Sequence, residues 1–221
     1  MQITEDLVHY LESYLTAHRK SRFTQVLSER TKYISVAVED VYHLHNTSAV
    51  MRSCDVFGVQ ELHAIEEINQ KRIDREIALG AQKWVDIQRH TSTKDFIHKM
   101  RNQGYTIVAT TPHTPSIEMN DFNITQPTIF CFGRETEGIS DTLLETADIK
   151  MNIPMIGFTE SLNVSVSAAI ILQHFSNQLR NSDLPWSLTA EEKLVKRFDW
   201  CKKTIKSVDQ LIIKYLETYN I

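Results

Sequence analysis

The 221-residue sequence is poor in cysteine, and its three, Cys54, Cys131 and Cys201, stand far apart with no paired spacing. That argues against a disulfide framework and against a zinc finger or ribbon, and reads as isolated buried thiols. Long apolar runs are missing too: none approaches the roughly 20 residues a membrane-spanning helix needs. The opening Met1-Gln2-Ile3-Thr4-Glu5-Asp6 carries acids where a secretory signal would carry basic residues, so a cytoplasmic protein without a membrane partner is expected. There is no internal repeat and no low-complexity tract. With 42% apolar and 24% charged residues, the chain can bury a full core as one large domain, or as one domain with extensions.

The net charge of −4 is unevenly spread. Arg19, Lys20, Arg22, Arg30 and Lys32 face one acid, Glu29, between residues 18 and 32. Lys193, Lys196, Arg197, Lys202, Lys203 and Lys206 face one acid, Asp199, between residues 193 and 206. Residues 39–189 hold 12 basic and 19 acidic side chains. Attraction to a polyanion would therefore come from the two ends, unless those charges only solvate helix faces. Lys71, Arg72 and Arg75 form a second, local basic group.

Leu7, Val8, Leu11, Tyr14 and Leu15 recur at helical spacing, with Glu5 and Asp6 in the first turn. Ile34, Val36 and Val38 alternate as a strand, and a helical stretch after Asn46 closes at Gly58. Strand-like runs follow at 61–65, 84–87, 106–109, 128–132 and 149–153, with helical stretches at 93–102 and 140–146 between them. This alternation predicts an α/β fold with a mostly parallel sheet. Residues 164–179 read as a helix packed closely by neighbours. Thr189 and Glu192 have capping-box spacing. Beyond them Leu194, Phe198, Cys201, Ile205, Val208, Ile212, Tyr215 and Tyr219 alternate at four and three residues, a heptad seam on one long helix laid along the protein's own body or a partner subunit. The expected domains are a basic helical extension over 1–32, a central domain over 33–182 and a second basic helical extension over 183–221.

In parallel sheets ligands sit beyond the C-terminal strand ends, so strand-to-helix junctions are the places to search. Three concentrate polar residues. In the first, residues 45–58, Ala49, Val50, Ser53, Val56 and Phe57 would form the inward stripe, with Arg52 at its margin, where it could equally pair with Asp55. The second runs Phe132-Gly133-Arg134-Glu135-Thr136-Glu137-Gly138-Ile139. Ile139 stands where a phosphate loop requires lysine, and no Gly-x-Gly-x-x-Gly follows any strand, so both nucleotide fingerprints fail. An ordinary glycine turn remains open. In the third, residues 153–169, Ser161 or Asn163 could be an N-cap, and Ser161 lacks the glycines of a nucleophile elbow. His43 and His45 have no partner motif for a metal and read as structural or surface residues.

Taken together, the three junctions resemble the three motifs of the SpoU RNA 2′-O-methyltransferase family, in order. Asn46 with Arg52 matches the first, Phe132-Gly133-Arg134-Glu135-x-x-Gly138 the second, and Ile153-Pro154-Met155 with Ser161-Leu162-Asn163-Val164-Ser165 the third. The resemblance covers roughly residues 33–180, and Gly80-Ala81-x-Lys83-Trp84-Val85 looks like the branch acting on guanosine 18 of tRNA. It implies a C-terminal trefoil knot, which pattern rules alone argue against, and a homodimer. It also implies S-adenosylmethionine (AdoMet) held around Thr110, Gly133, Ile153, Met155 and Leu162, with no metal. Arg52, Asn46, Glu135, Ser161 and Asn163 become the candidate catalytic set. Arg19, Lys20, Arg22, Lys196, Arg197, Lys202, Lys203 and Lys206 become candidate RNA contacts. Ribosomal RNA or another tRNA position would suit the same motifs, as would an RNA-binding homologue without catalysis.

Overall fold

The structure, a computed structural model, describes residues 2–68, 78, 80–113 and 115–219, the side chain of Leu44 excepted. Within them the chain forms two compact units, one made of residues 31–186 and the other of residues 1–30 with 187–221. The described parts of the expected N- and C-terminal extensions fall mostly in that second unit.

In the larger unit, β1 (Ile34–Glu39), β2 (Glu61–Ile65), β3 (Asp86–His90), β4 (Thr106–Thr110), β5 (Ile117–Glu118), β6 (Thr128–Phe132) and β7 (Ile149–Asn152) make one sheet in the order β3-β2-β1-β6-β4-β7-β5. Every ladder in it is parallel. A parallel sheet needs both faces covered. On one face α3 (Leu44–Phe57) and α6 (Val164–Arg180) pack Val50, Met51, Cys54, Ile171, Leu172 and Phe175 against Val36, Val38, Phe130 and Phe132. On the other, α4 (Thr93–Asn102) and α5 (Asp141–Thr146) bring Phe96, Ile97, Met100 and Leu143 against Ala37, Ile107, Ile129 and Cys131. The strict alternation along β6 divides its side chains between the two cores. Phe130 stacks on Phe175 with ring centroids 4.7 Å apart.

Several elements differ from expectation. Residues 81–83 form a 3₁₀ turn and the strand starts at Asp86, while the two-residue β5 carries too short a pattern to read. The buried apolar face of α3 is Val50, Met51 and Cys54; of the expected stripe, Val50 is buried, Ala49, Ser53 and Phe57 are half-buried, and Val56 is 67% exposed. This helix has two apolar faces, and periodicity cannot tell which one meets the sheet.

In the smaller unit α1 (Glu5–Glu12) and α2 (Ala17–Ser28) each start at a threonine, Thr4 and Thr16, whose hydroxyl accepts a backbone N–H of the first turn. The capping box of Thr189 with Glu192 opens α7 (Ala190–Thr204). The heptad seam continues into α8 (Val208–Tyr219), but not as one helix: Ile205 is extended and Ser207 has φ +54°. Phe198, Cys201, Val208, Ile212 and Tyr215 are nevertheless buried, beside Leu7, Leu11, Phe23 and Trp200 of the same unit. Among the described residues no helix is long and apolar enough to cross a membrane.

Candidate active site

The site is built at the C-terminal ends of β1, β6, β4 and β7, where the three sequence junctions leave the sheet. After β1 the backbone turns at Asp40, with φ +48°, and reaches α3 through Tyr42 and His43. After β6 it folds into a tight turn in which Arg134 and Gly138 exchange both backbone hydrogen bonds, at 2.9 and 3.1 Å. Gly133 is required there, since a Cβ would lie 2.1 Å from the carbonyl carbon of Gly138. Gly138 itself has φ +73°, a conformation glycine adopts without strain. These contacts give each motif glycine a physical reason.

One chain of hydrogen bonds links all three junctions. The Asn46 amide donates to Glu135 Oε1 at 2.6 Å, and the Asn163 amide donates to Asn46 Oδ1 at 3.2 Å. Asn163 Oδ1 in turn accepts from the backbone N–H and hydroxyl of Ser165, at 2.8 and 2.6 Å. Asn163 is therefore both the N-cap of α6 and a member of the site. Glu135 further accepts from the backbone N–H groups of Tyr42 at 3.0 Å and His43 at 3.3 Å. Burial pushes its carboxyl up, but the bonds from Asn46, Tyr42 and His43 outweigh it, so the group lies below its ordinary value. It is an anion held in one orientation.

Beside this chain lies a cavity of about 430 Å³, within the roughly 300–1,000 Å³ usual for small-molecule sites. All five expected cofactor residues, Thr110, Gly133, Ile153, Met155 and Leu162, line it, together with Ser161 and Glu135. Among the described residues its carboxylates are Glu135, Glu137, Asp141 and Glu160, against the single guanidinium of Arg134. That balance suits a cationic ligand and opposes a phosphate-bearing one. AdoMet, with a sulfonium and an ammonium, fits this lining.

Arg52 does not line the cavity. It is exposed at the border of a separate groove between α3 and α6, formed by Ala49, Ser53, Val56, Phe57, Ser165, Val166, Ala169 and Ile170. His43 and His45 stack with ring centroids 5.1 Å apart at the surface. Of the basic candidates in the smaller unit, Arg19, Arg22, Lys202, Lys203 and Lys206 are exposed and Lys20 is half-buried. Two others are held within the unit. Lys196 is buried and paired with Asp199 at 3.3 Å. Arg197 holds Glu12 with two nitrogens and Glu5 with a third, each at 2.8 Å. Both were expected to reach outward because they lie off the heptad seam, but α1 covers that side of Arg197. Lys71, Arg72 and Arg75 fall outside the described residues. Among the described residues no group of three or more His, Cys, Asp or Glu side chains could hold a metal ion. The tyrosine that bridges the first two junctions, Tyr42, was not singled out from the sequence, because it belongs to no motif spacing.

An α/β sheet with a hydrogen-bonded Asn–Glu–Asn chain beside an acid-lined cavity defines a small-molecule-dependent enzyme of the type the motifs indicate. The chain belongs to the SpoU rRNA Methylase family, whose sequence profile matches residues 33–173. It is 32% identical over 197 residues to the tRNA (guanosine(18)-2′-O)-methyltransferase of Borreliella burgdorferi, covering 89% of this chain and 90% of that one. The crystal structure of the Aquifex aeolicus TrmH/SpoU tRNA modifying enzyme superposes with a TM-score of 0.78 at 34% identity, covering 86% of this chain and 98% of that one. The SpoU methyltransferase AviRb of Streptomyces viridochromogenes, in complex with AdoMet, superposes with a TM-score of 0.62 at 25% identity, covering 72% and 65%.

Proposed function

We propose that this protein transfers a methyl group from AdoMet to the ribose 2′-oxygen of guanosine 18 in tRNA. The observation that carries the reading is the Asn46–Glu135–Asn163 chain, which joins all three family motifs beside a cavity suited to a cation. The relatives' named activity supplies the position in tRNA. When bound, AdoMet supplies the electrophilic methyl. The protein's part is to align the attacking oxygen and help its proton leave. Glu135, fixed by three donors, orients Asn46, and Asn46 orients Asn163. Ser161, on the cavity wall, completes that polar rim. Arginine stays protonated in proteins, so Arg52 acts as a phosphate-binding cation that stabilises the developing alkoxide, not as a literal base. Near-normal turnover with an altered pH profile in Arg52→Lys would contradict that role.

The family resemblance supports a trefoil knot in the C-terminal part of the larger unit and a homodimer in the cytoplasm. The α3–α6 groove is the self-association surface, since Val56 and Val166 are exposed along it and Arg52 stands at its edge. Arg52 of one protomer then serves the Asn163 of its partner. Mixing Arg52→Ala with Asn163→Ala subunits restores activity under that arrangement. Failure despite verified subunit exchange would remove it.

The decisive experiment incubates the protein with unmodified tRNA and AdoMet, without added metal, and maps the product. The expected product is 2′-O-methylguanosine at position 18. Methyl on a base, on ribosomal RNA alone or at another tRNA position would overturn the assignment, and no AdoMet binding by calorimetry would indicate a non-catalytic homologue.

A further inference from the structure

Tyr42 touches the cavity-wall turn at two points. Its backbone N–H donates to Glu135 Oε2 at 3.0 Å. Its phenol donates to Glu137 Oε1 at 2.9 Å. Glu135 and Glu137 are two of the five residues of the 134–138 turn, and all five line the cavity. The turn is pinned at its base by the Gly133–Gly138 approach and the Arg134–Gly138 bridge. Its outward side chains have no such backbone constraint. Glu135 is held by Asn46 as well as by backbone, whereas Glu137 takes the Tyr42 phenol. A phenol that donates its proton to a carboxylate fixes that charge relative to the cavity.

Resting on the AdoMet-dependent reading above, we propose that Tyr42 is a positioning residue: its hydroxyl clamps Glu137 so that the 134–138 turn keeps the shape of the cofactor wall. It touches no reacting atom. Its loss changes cofactor affinity more than turnover.

Tyr42→Phe removes only the hydroxyl. AdoMet affinity, measured by calorimetry, is expected to weaken about three- to tenfold, the range set by one typical net hydrogen bond. The AdoMet KM rises with it, while kcat at saturating AdoMet and the tRNA KM stay within about twofold. Glu137→Ala removes the other end of the clamp. The double variant is expected to bind AdoMet no more weakly than the weaker single variant, because both remove one interaction. Backbone amide exchange at residues 134–138 is expected to quicken in Tyr42→Phe without any ligand. That last readout stands even if the wild-type protein neither binds AdoMet nor methylates RNA, which would sink the functional reading alone. Unchanged exchange in the turn overturns the clamp. So does additive weakening in the double variant, or unchanged AdoMet affinity in an otherwise active Tyr42→Phe protein.

Discussion

The Asn46 amide and the Glu135 carboxylate, 2.6 Å apart, join the start of α3 to the turn after β6 across 89 residues of sequence. Glu135 accepts three donors, from Asn46, Tyr42 and His43, and a neutral amide cannot serve all of them. In Glu135→Gln either Oε1 or Oε2 becomes an NH₂ facing another N–H. Losing one hydrogen bond at this half-buried carboxylate costs about 0.5–1.5 kcal/mol. Thermal denaturation should show a loss of that size, and methyl transfer should fall at least about tenfold as Asn46 loses its orientation. Wild-type stability with wild-type turnover would show that the carboxylate is not the anchor. The sign of its titration adds a check: its folded value is depressed, so its contribution is present above the unfolded carboxylate value and is lost as pH falls through the folded one.

Gly133 and Gly80 make a matched pair. An alanine Cβ at 133 meets the Gly138 carbonyl carbon at 2.1 Å and the Ile139 nitrogen at 2.2 Å, all backbone, so the turn must open. At Gly80, φ is +91° but nothing lies within 4 Å, so alanine meets only backbone strain of about 1–2 kcal/mol. Gly133→Ala is expected to abolish measurable AdoMet binding, and Gly80→Ala to lower the melting temperature while binding AdoMet normally. Equal AdoMet affinity in the two variants would mean that the close approach does not shape the cavity.

This contrast shows what the sequence made legible and what it withheld. The glycines at 58, 133 and 138 and the capping residues Ser140, Asn163 and Thr189 announce local geometry, so the element boundaries around them were readable. Strands buried on both faces read as apolar runs, which located β4 and β6, while alternation of Ile34, Val36 and Val38 located β1. The order β3-β2-β1-β6-β4-β7-β5 depends on long-range pairing that no local pattern encodes. The buried face of α3 was read only in part, through Val50, because both faces are apolar. The break at 205–207 was hidden because the heptad spacing continues through it, and no glycine or proline marks the stop. Asn46, Glu135 and Asn163 were named by motif and then found hydrogen-bonded in series, whereas Tyr42, which joins two junctions through its own backbone and phenol, had no pattern to betray it.

His63 and His90, on β2 and β3, face each other with Nδ1 and Nε2 3.0 Å apart and rings stacked at 5.2 Å. Burial, then the neighbouring His90 and Lys99, push His63 down to about 3, and burial with Lys99 lowers His90. Unfolded histidine takes up its proton near pH 6.5. Below that pH the unfolded chain binds protons the folded pair refuses, so stability falls as pH drops, before most carboxylates titrate. Urea denaturation at pH 7.5 and pH 5 should show this loss, and His63→Leu should reduce it. An unchanged difference between the two pH values in that variant would place the acid sensitivity elsewhere.

The revised burial of the basic residues in the smaller unit separates two roles that charge counting merged. Lys202, Lys203 and Lys206 are exposed; Lys203 lies 2.7 Å from Asp199 and Lys202 3.6 Å from Asp209. Surface pairs of this kind contribute little, so they yield readily to a phosphate. Changing these three lysines to glutamine should raise the tRNA dissociation constant and flatten its salt dependence by roughly 0.7–0.9 per lost phosphate contact. AdoMet binding should not change. Arg19, Lys20 and Arg22 to glutamine should act in the same direction. Arg197 should not: it grips Glu12 and Glu5 within the unit, and its side chain is only 20% exposed. Removing a two-pronged guanidinium from two carboxylates leaves Glu12, 14% exposed, without that partner. Arg197→Gln is therefore expected to cost about 1–3 kcal/mol in denaturation, with the salt slope of tRNA binding unchanged. A flattened slope at full stability would instead return Arg197 to the RNA-contacting set and make its ion pairs exchangeable.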